Sequence, residues 1–177
     1  PEAGLTAERL FGAANRVDRS LIRIMADAST YNLHIIIRFE LELALFSGDL
    51  KAEDAEEAWA DAYERTLRIR PEKASTGVLQ DMHWASAYFG YFPSYTIGNL
   101  YSASCKVVME EDIPDMWTQV EAGNFQEILS WLNTKIHSQG HLKSQEEIIA
   151  DAVGSRDHVQ DLITHLRSRH QQIQSLL

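Results

Sequence analysis

One segment of this 177-residue chain, 77–95, combines polar side chains able to do chemistry with aromatic surroundings. The polar side chains of interest are Gln80, Asp81, His83, Tyr91 and Tyr95. Apolar walls with a few convergent polar groups are the makeup of a ligand cleft, and a histidine or tyrosine can donate a hydrogen bond to a developing oxyanion. The alternative is an aromatic core whose polar tips are satisfied internally. The residues alone leave these two interpretations equally open.

A second polar pair, Arg23 and Asp27, lies in the otherwise apolar segment 20–27. Arginine can bind a carboxylate through two parallel hydrogen bonds, and the aspartate can orient that arginine or cap a helix that begins near Thr30. Taken alone this signal is weak, and a structural ion pair is the default interpretation.

The histidines and the single cysteine give no pattern for a metal site or a nucleophile. None of the seven histidines is followed by Glu, so the HExxH zinc motif is absent. His137 and His141 are four residues apart, but Gly140 lies between them, and we interpret them as a chance pair at a helix end. Cys105 lies in an apolar helical stretch that favours a structural thiol. We therefore predict no metal ligands in this chain.

Apolar residues recur at helical spacing along most of the chain, while strand-like alternation is nearly absent. This pattern predicts an all-α fold, a helical bundle, in one domain that covers 1–177 without a dividing linker. Asn124–Glu127 and Ser144–Glu147 have the spacing of a capping box, and Gly140 and Gly154 can end helices. The segment 69–92 is predicted as loop with at most a strand or a short helix. Helices are predicted near 6–15, 30–47, 52–68, 93–111, 124–137, 144–153 and 156–170.

The predicted helix 30–47 is apolar nearly all round, which is typical of a helix buried on most sides. Its exceptions, His34, Arg38 and Glu42, are spaced four residues apart and form one polar stripe. The interpretation we prefer is a solvated edge with an ordinary Arg38–Glu42 ion pair. The other is that the stripe faces a polar groove inside a larger molecule.

Composition excludes several classes of partner. The formal net charge is −10, from 16 Lys and Arg against 26 Asp and Glu, which argues against nucleic acid because phosphate backbones are bound mainly by clustered cations. No apolar run approaches the length of a membrane span, and the first ten residues do not resemble a signal peptide. One cysteine rules out an internal disulfide. We therefore expect a cytoplasmic protein with no membrane partner.

Longer motifs resemble one known family. Ile22–Asp27 (IRIMAD) fits an IRxxAD pattern, Gly77–Trp84 (GVLQDMHW) fits GxxQDxHW in full, and the HIIIRFELE stretch lies between them. In this order, and with the continuation Phe89–Tyr101 (FGYFPSYTIGNLY), they resemble the carboxypeptidase Taq family of zinc metallocarboxypeptidases. The resemblance runs from about Leu5 to about Leu166, and its motifs are specific.

The resemblance implies the C-terminal third of a larger, two-lobed helical peptidase that acts as a homodimer. The family releases single residues from peptide C-termini and uses one divalent metal, zinc or cobalt. Its metal motifs, HExxH and a downstream HESQ-type sequence, do not occur in this chain. The resemblance thus implies peptide C-termini as partners of the complete groove, no cofactor held by this chain, and no activity of the chain alone.

The resemblance also implies roles for individual residues. His83 would bind substrate backbone or the tetrahedral intermediate, and Tyr91, together with Tyr95, would stabilise the oxyanion. Arg23 would bind the substrate's terminal carboxylate. Gln80 and Asp81 belong to the same substrate-binding region and would hold the loop and orient His83. The alternative function is a stand-alone, non-catalytic binding or regulatory module derived from the peptidase, in which dimerisation is one way to cover apolar surface.

Overall fold

The computed structural model describes residues 4–175 and is built from α-helices joined by short turns, with no strand in that range. The all-α prediction is therefore confirmed. In chain order the helices are α1 (Ala7–Ala14), α2 (Tyr31–Ser47), α3 (Ala55–Leu67), α4 (Pro93–Asp112), α5 (Met116–Glu121), α6 (Gln126–Lys135), α7 (Gln145–Val153) and α8 (His158–Gln174).

Seven of the helices lie where apolar periodicity predicted them, with ends that shift by a few residues. The Ser144–Glu147 capping box is present at the start of α7, with both reciprocal hydrogen bonds formed. Gly154 ends the same helix at φ 72°, a conformation that glycine adopts without steric cost. The predicted loop 69–92 contains two single 3-10 turns, Ala74–Thr76 and Trp84–Ser86.

Three local predictions were wrong. Asn124 does not cap α6, because the helix begins two residues later and the Asn124 side chain accepts instead from the Gln126 amide at 3.1 Å. Gly140 follows a 3-10 turn and does not end α6, whose last residue is Lys135. The short helix α5 was not predicted, since six residues carry too few apolar positions to show a helical period.

The described residues form two compact units, each with its own apolar core. The first unit comprises 4–96 and 168–175, and the second comprises Ile97–Arg167. A single domain stays a prediction. The first core consists of Ile37, Leu41, Trp59, Ala62, Tyr63 and Leu67. The second consists of Met109, Ile113, Met116, Trp131, Ile149, Ala152 and Val153.

Between residues 4 and 175, none of the helices has the combination of length and apolar content that crossing a membrane requires.

Candidate functional site

The first unit brings together the six residues singled out in the sequence. They are Arg23, Gln80, Asp81, His83, Tyr91 and Tyr95. Each touches at least one other member through a hydrogen bond, an ion pair or a ring contact. They come from a 3-10 turn, from the loop before α4 and from the first turn of that helix.

Asp81 is the anionic centre of this cluster and binds two arginines. Arg23 donates from Nε and Nη2 to Oδ1 at 3.0 and 2.8 Å, and Arg38 donates from Nε to Oδ2 at 2.7 Å. All three side chains are at most 10% exposed. Burial by itself raises the pKa of Asp81, but the two guanidinium groups outweigh it and hold that pKa below its ordinary value. The carboxylate is therefore charged, and the arginines bind both of its oxygens.

Gln80 uses all of its amide groups to attach the loop. Its Oε1 accepts from the Arg23 amide and from Arg38 Nη2, both at 2.9 Å. Its Nε2 donates to the carbonyl oxygens of Leu21 and Thr76 at 2.9 and 3.1 Å. Since both atoms of the side chain make two hydrogen bonds, the residue holds the loop against the 3-10 turn and α2.

The polar stripe of α2 is buried, so our preferred interpretation of it as a solvated edge was wrong. His34 and Arg38 have no exposed surface, and Glu42 is 4% exposed. The predicted Arg38–Glu42 ion pair is also wrong, because Arg38 binds Asp81 and Glu42 binds other donors. Arg38 and Glu42 face the chain's own loop 77–92, whereas His34 contacts Tyr63 of α3. Sequence reasoning missed the partners of Arg38 and Glu42 because they lie more than 40 residues further along the chain.

Glu42 fixes the outer part of the loop. Its carboxylate accepts from the Trp84 indole Nε1 at 2.5 Å and from the Gly90 amide at 3.1 Å. These donors follow His83 and precede Tyr91 directly in the sequence. One buried acid on α2 therefore anchors both ends of the segment between the two predicted catalytic side chains.

His34 completes the buried network and is held neutral. Its Nδ1 lies 2.9 Å from the Tyr63 hydroxyl, which also accepts from Arg38 Nη1 at 3.1 Å. The tautomer of His34 decides whether Nδ1 or the hydroxyl donates in this contact. Burial, with the charges of Arg38 and Arg23, lowers the pKa of His34 to about 4.

His83, Tyr91 and Tyr95 form the accessible face of the cluster. The Tyr95 hydroxyl lies 3.1 Å from His83 Nε2, and the imidazole packs on the buried Phe92 ring with centroids 4.4 Å apart. The Tyr91 ring contacts both His83 and Tyr95, at 5.8 and 5.5 Å between centroids. Tyr91 is 49% exposed and is the most open of the six residues. An imidazole fixed by a phenol, beside an accessible phenol, can donate hydrogen bonds to a carbonyl or an oxyanion.

Arg23 is enclosed, although it lies beside these aromatic side chains. Its guanidinium stands 5.1 Å from the centre of the Tyr95 ring and 5.6 Å from that of Phe92. Its Nη1 donates to the Tyr31 hydroxyl at 3.1 Å. Asp27 is not its partner, because that carboxylate accepts from the Ser29 and Thr30 amides ahead of α2.

A separate polar cluster, which the sequence did not predict, lies in the second unit. Ser104 is fully buried and donates to Asp161 Oδ2 at 2.6 Å, which leaves its oxygen to accept from His158 Nδ1 at 2.7 Å. The carboxylate thus contacts the serine and not the histidine, unlike a Ser-His-Asp hydrolase triad. Arg156 also donates to Asp161 at 2.9 Å. The cluster joins α4 to α8 within the second unit.

The described residues do not fit a metal ion. Across 4–175, no group of three or more His, Cys, Asp and Glu side chains has an arrangement that could hold one. The acidic centre of the site, Asp81, is saturated by two arginines.

Comparison with known proteins gives one consistent family. The family described as "Carboxypeptidase Taq (M32) metallopeptidase" matches residues 2–170. Carboxypeptidase 1 of Bacillus subtilis is 43% identical over 158 residues, which are 89% of this chain and 32% of that protein. Thermostable carboxypeptidase 1 of Pyrococcus furiosus is 44% identical over 149 residues, or 84% of this chain and 30% of that protein.

Solved structures agree with the sequence relatives. The M32 carboxypeptidase from Deinococcus radiodurans R1 superposes with a TM-score of 0.88 at 36% identity, over 97% of this chain and 35% of that chain. The chain therefore spans about a third of the length of the relatives that it matches.

Proposed function

The chain belongs to the carboxypeptidase Taq (M32) metallopeptidase family, and we propose that it forms the substrate-groove third of a carboxypeptidase. In this proposal it positions a peptide C-terminus and stabilises the transition state, while the metal-binding part of the fold lies on polypeptide outside the described residues. The chain is then inactive alone.

The observation that carries this proposal is the arrangement of His83, Tyr91 and Tyr95 on one face of a buried hydrogen-bonded network. Preorganised donors are effective where charge develops, because they need no reorganisation during the reaction. Tyr95 binds the imidazole, whereas Tyr91 is half-exposed. We therefore assign the oxyanion contact to Tyr91, the substrate contact to His83, and the orientation of His83 to Tyr95.

The proposed roles of the remaining residues follow from their contacts. Gln80 and Asp81 hold the loop at the edge of the substrate region. Arg23 is the candidate for the terminal carboxylate, by resemblance to the family. Since Asp81 occupies its Nε and Nη2, a substrate would have to reach the Nη1 edge beside Tyr31. Its positive charge also supports the cluster through the Tyr95 ring.

The family also supplies the finer parts of the proposal. The metal of the complete enzyme is zinc or cobalt; it would activate water and polarise the scissile carbonyl, and none of the described residues is assigned to it. The assembly is a homodimer in the cytoplasm. Light scattering of the complete enzyme and cell fractionation test these last two statements.

The alternative proposal is a non-catalytic binding or regulatory module. It is favoured by one observation, the saturation of the buried polar groups of Asp81 and Gln80 by the chain's own atoms. A module of this kind would use the fold and its apolar surface without using His83 or Tyr91.

Assays of two proteins separate these proposals. The first is the purified chain, assayed with a blocked dipeptide in zinc or cobalt. The second is a chimera in which this chain replaces the matching third of carboxypeptidase 1 of Bacillus subtilis. We expect no turnover by the chain and chelator-sensitive release of the C-terminal residue by the chimera. Chelator-sensitive turnover by the chain alone, or a folded but inactive chimera, would contradict the proposal.

A further inference from the structure

One side of α2 exposes a regular apolar stripe. Ile36, Phe39, Leu43 and Phe46 are 44%, 42%, 54% and 71% exposed. They are spaced three, four and three residues apart, which is the spacing of a seam between two packed helices. The pattern of apolar residues along this helix predicts burial on most sides, but along the stripe the side chains are exposed.

The stripe is continuous with the candidate site. The Phe46 ring packs edge-on against Phe89, with centroids 5.2 Å apart, and Phe89 stacks beside Trp84 at 6.2 Å. Phe89 lies in the loop that carries His83 and Tyr91. Contiguous exposed apolar surface is a feature of protein interaction sites.

The helix cannot turn the stripe inward. Its polar side is bound to Asp81 through Arg38 and to Trp84 through Glu42, and both polar residues are buried. Rotation of α2 would break the Arg38–Asp81 ion pair and the hydrogen bonds of Glu42, and removal of one partner from a buried charge pair is strongly destabilising. A cover for the stripe would therefore have to come from other polypeptide.

Resting on the proposed function, we propose that the stripe is the docking surface for a helix of the metal-binding part of the family fold. In the relatives this fold makes up about a third of a longer chain. About two thirds of their length therefore lies outside the matched fold and can supply a helix that covers the stripe. The spacing of the stripe suits a contacting helix, whose side chains can pack between those of α2. A helix seated there lies beside the loop that carries His83 and Tyr91, and so closes the groove from the side of α2.

The test compares the same substitutions in two settings. Phe39→Ser with Leu43→Ser is introduced into the purified chain and into the chimera with the Bacillus subtilis relative. Leu142→Ser is the matched control, because Leu142 is 85% exposed in the second unit. We expect the double variant to lower the Tm of the chimera by about 5 °C or more and that of the chain by less than about 2 °C. The control leaves both Tm values unchanged.

Several results would overturn the proposal. Equal Tm shifts in chain and chimera, or no shift in the chimera, show that the metal-binding part of the family fold does not cover the stripe. A dimer of the purified chain in light scattering that the double variant dissociates identifies a second copy as the occupant. If the chimera does not fold, the remaining part of the relative is co-expressed with the tagged chain. The proposal is overturned if this part does not co-purify with the chain. It is also overturned if the part co-purifies equally well with the double variant.

The outcomes distinguish this inference from the proposed function. If the chimera hydrolyses the blocked dipeptide but its Tm does not respond to the stripe substitutions, the proposed function is supported and the docking surface is refuted. If those substitutions lower the Tm of the chimera but the chimera has no activity, the docking surface is supported and the proposed function is refuted.

Discussion

Arg38 donates from Nε to Asp81 Oδ2 at 2.7 Å, although the two residues are 43 positions apart in the sequence. Arg23 binds the other oxygen of the same carboxylate. Together these contacts attach α2, the 3-10 turn at Arg23–Met25 and the loop that carries His83 to a single buried anion. The shape of the candidate site therefore depends on one charge.

Removal of that charge is expected to be costly. In Asp81→Asn the fold keeps the side-chain volume but leaves Arg23 and Arg38 buried without an anion. We expect a loss of about 3–5 kcal/mol in the free energy of unfolding, measured by urea denaturation of the chain. The control is Glu53→Gln, in an exposed pair with Lys51, where we expect little change. An Asp81→Asn variant as stable as the control would show that the network does not hold the unit together.

Glu42 is expected to control the order of the loop between His83 and Tyr91. In Glu42→Gln the amide replaces a charged acceptor of the Trp84 and Gly90 donors, which weakens both hydrogen bonds. We expect faster hydrogen exchange of the Gly90 amide and a loss of about 1–3 kcal/mol in stability. Glu40→Gln, on the exposed side of the same helix, is the control. Unchanged exchange at Gly90 in Glu42→Gln would contradict this role.

The lowered pKa of His34 predicts a specific pH dependence of the free energy of unfolding. Its pKa is about 4 in the folded chain, below the ordinary value of 6.5. Between these values the unfolded chain binds a proton that the folded chain does not, so stability falls as the pH decreases from about 6.5 towards 4, by at most about 1.4 kcal/mol per pH unit. Urea denaturation from pH 7 to pH 5 measures the slope while Asp81 stays ionised.

The variant His34→Gln should have a shallower slope over the same range, whereas His141→Gln, at an exposed position, should keep the slope of the parent chain. Parallel slopes in the parent chain and in His34→Gln would show that His34 is not held neutral.

The second unit offers an independent stability test. Ser104 is buried and links His158 to Asp161 by two short hydrogen bonds. Ser104→Ala removes both hydrogen bonds and leaves His158 and Asp161 without the serine hydroxyl. We expect a loss of about 1–3 kcal/mol in the free energy of unfolding. Ser102→Ala, two residues earlier on the exposed side of α4, is the control. Equal unfolding midpoints in urea for the two variants would contradict a structural role of the cluster.

Helix positions and part of the site could be predicted because their signals are local. Apolar periodicity located seven helices, and Ser144 with Glu147 specified a cap within a single turn. The residues of the candidate site lie mostly within one short segment, 77–95, so a contiguous motif identified them together. Local signals failed at Asn124, where capping depended on the residue at which α6 begins.

The buried network could not be predicted, because its partners are distant in sequence. The spacing of His34, Arg38 and Glu42 shows that they share a face, but nothing in the helix indicates whether that face meets water or Asp81. The apolar stripe of α2 is the opposite case, because its residues were predicted to be buried and are exposed. Its residues have the composition of a core, and their exposure is visible only once the polar side of α2 is known to be buried.

The central claim is that His83 and Tyr91 act on substrate in a groove that the rest of the family fold completes. The most direct test is kcat for a blocked dipeptide in the chimera carrying Tyr91→Phe or His83→Gln. Tyr88→Phe is the control, since Tyr88 is 61% exposed beside Tyr91. We predict that each site variant lowers kcat about 100-fold or more, as loss of an oxyanion donor does, with the Tm unchanged and the control fully active. Site variants that keep the kcat of the parent chimera would contradict the account.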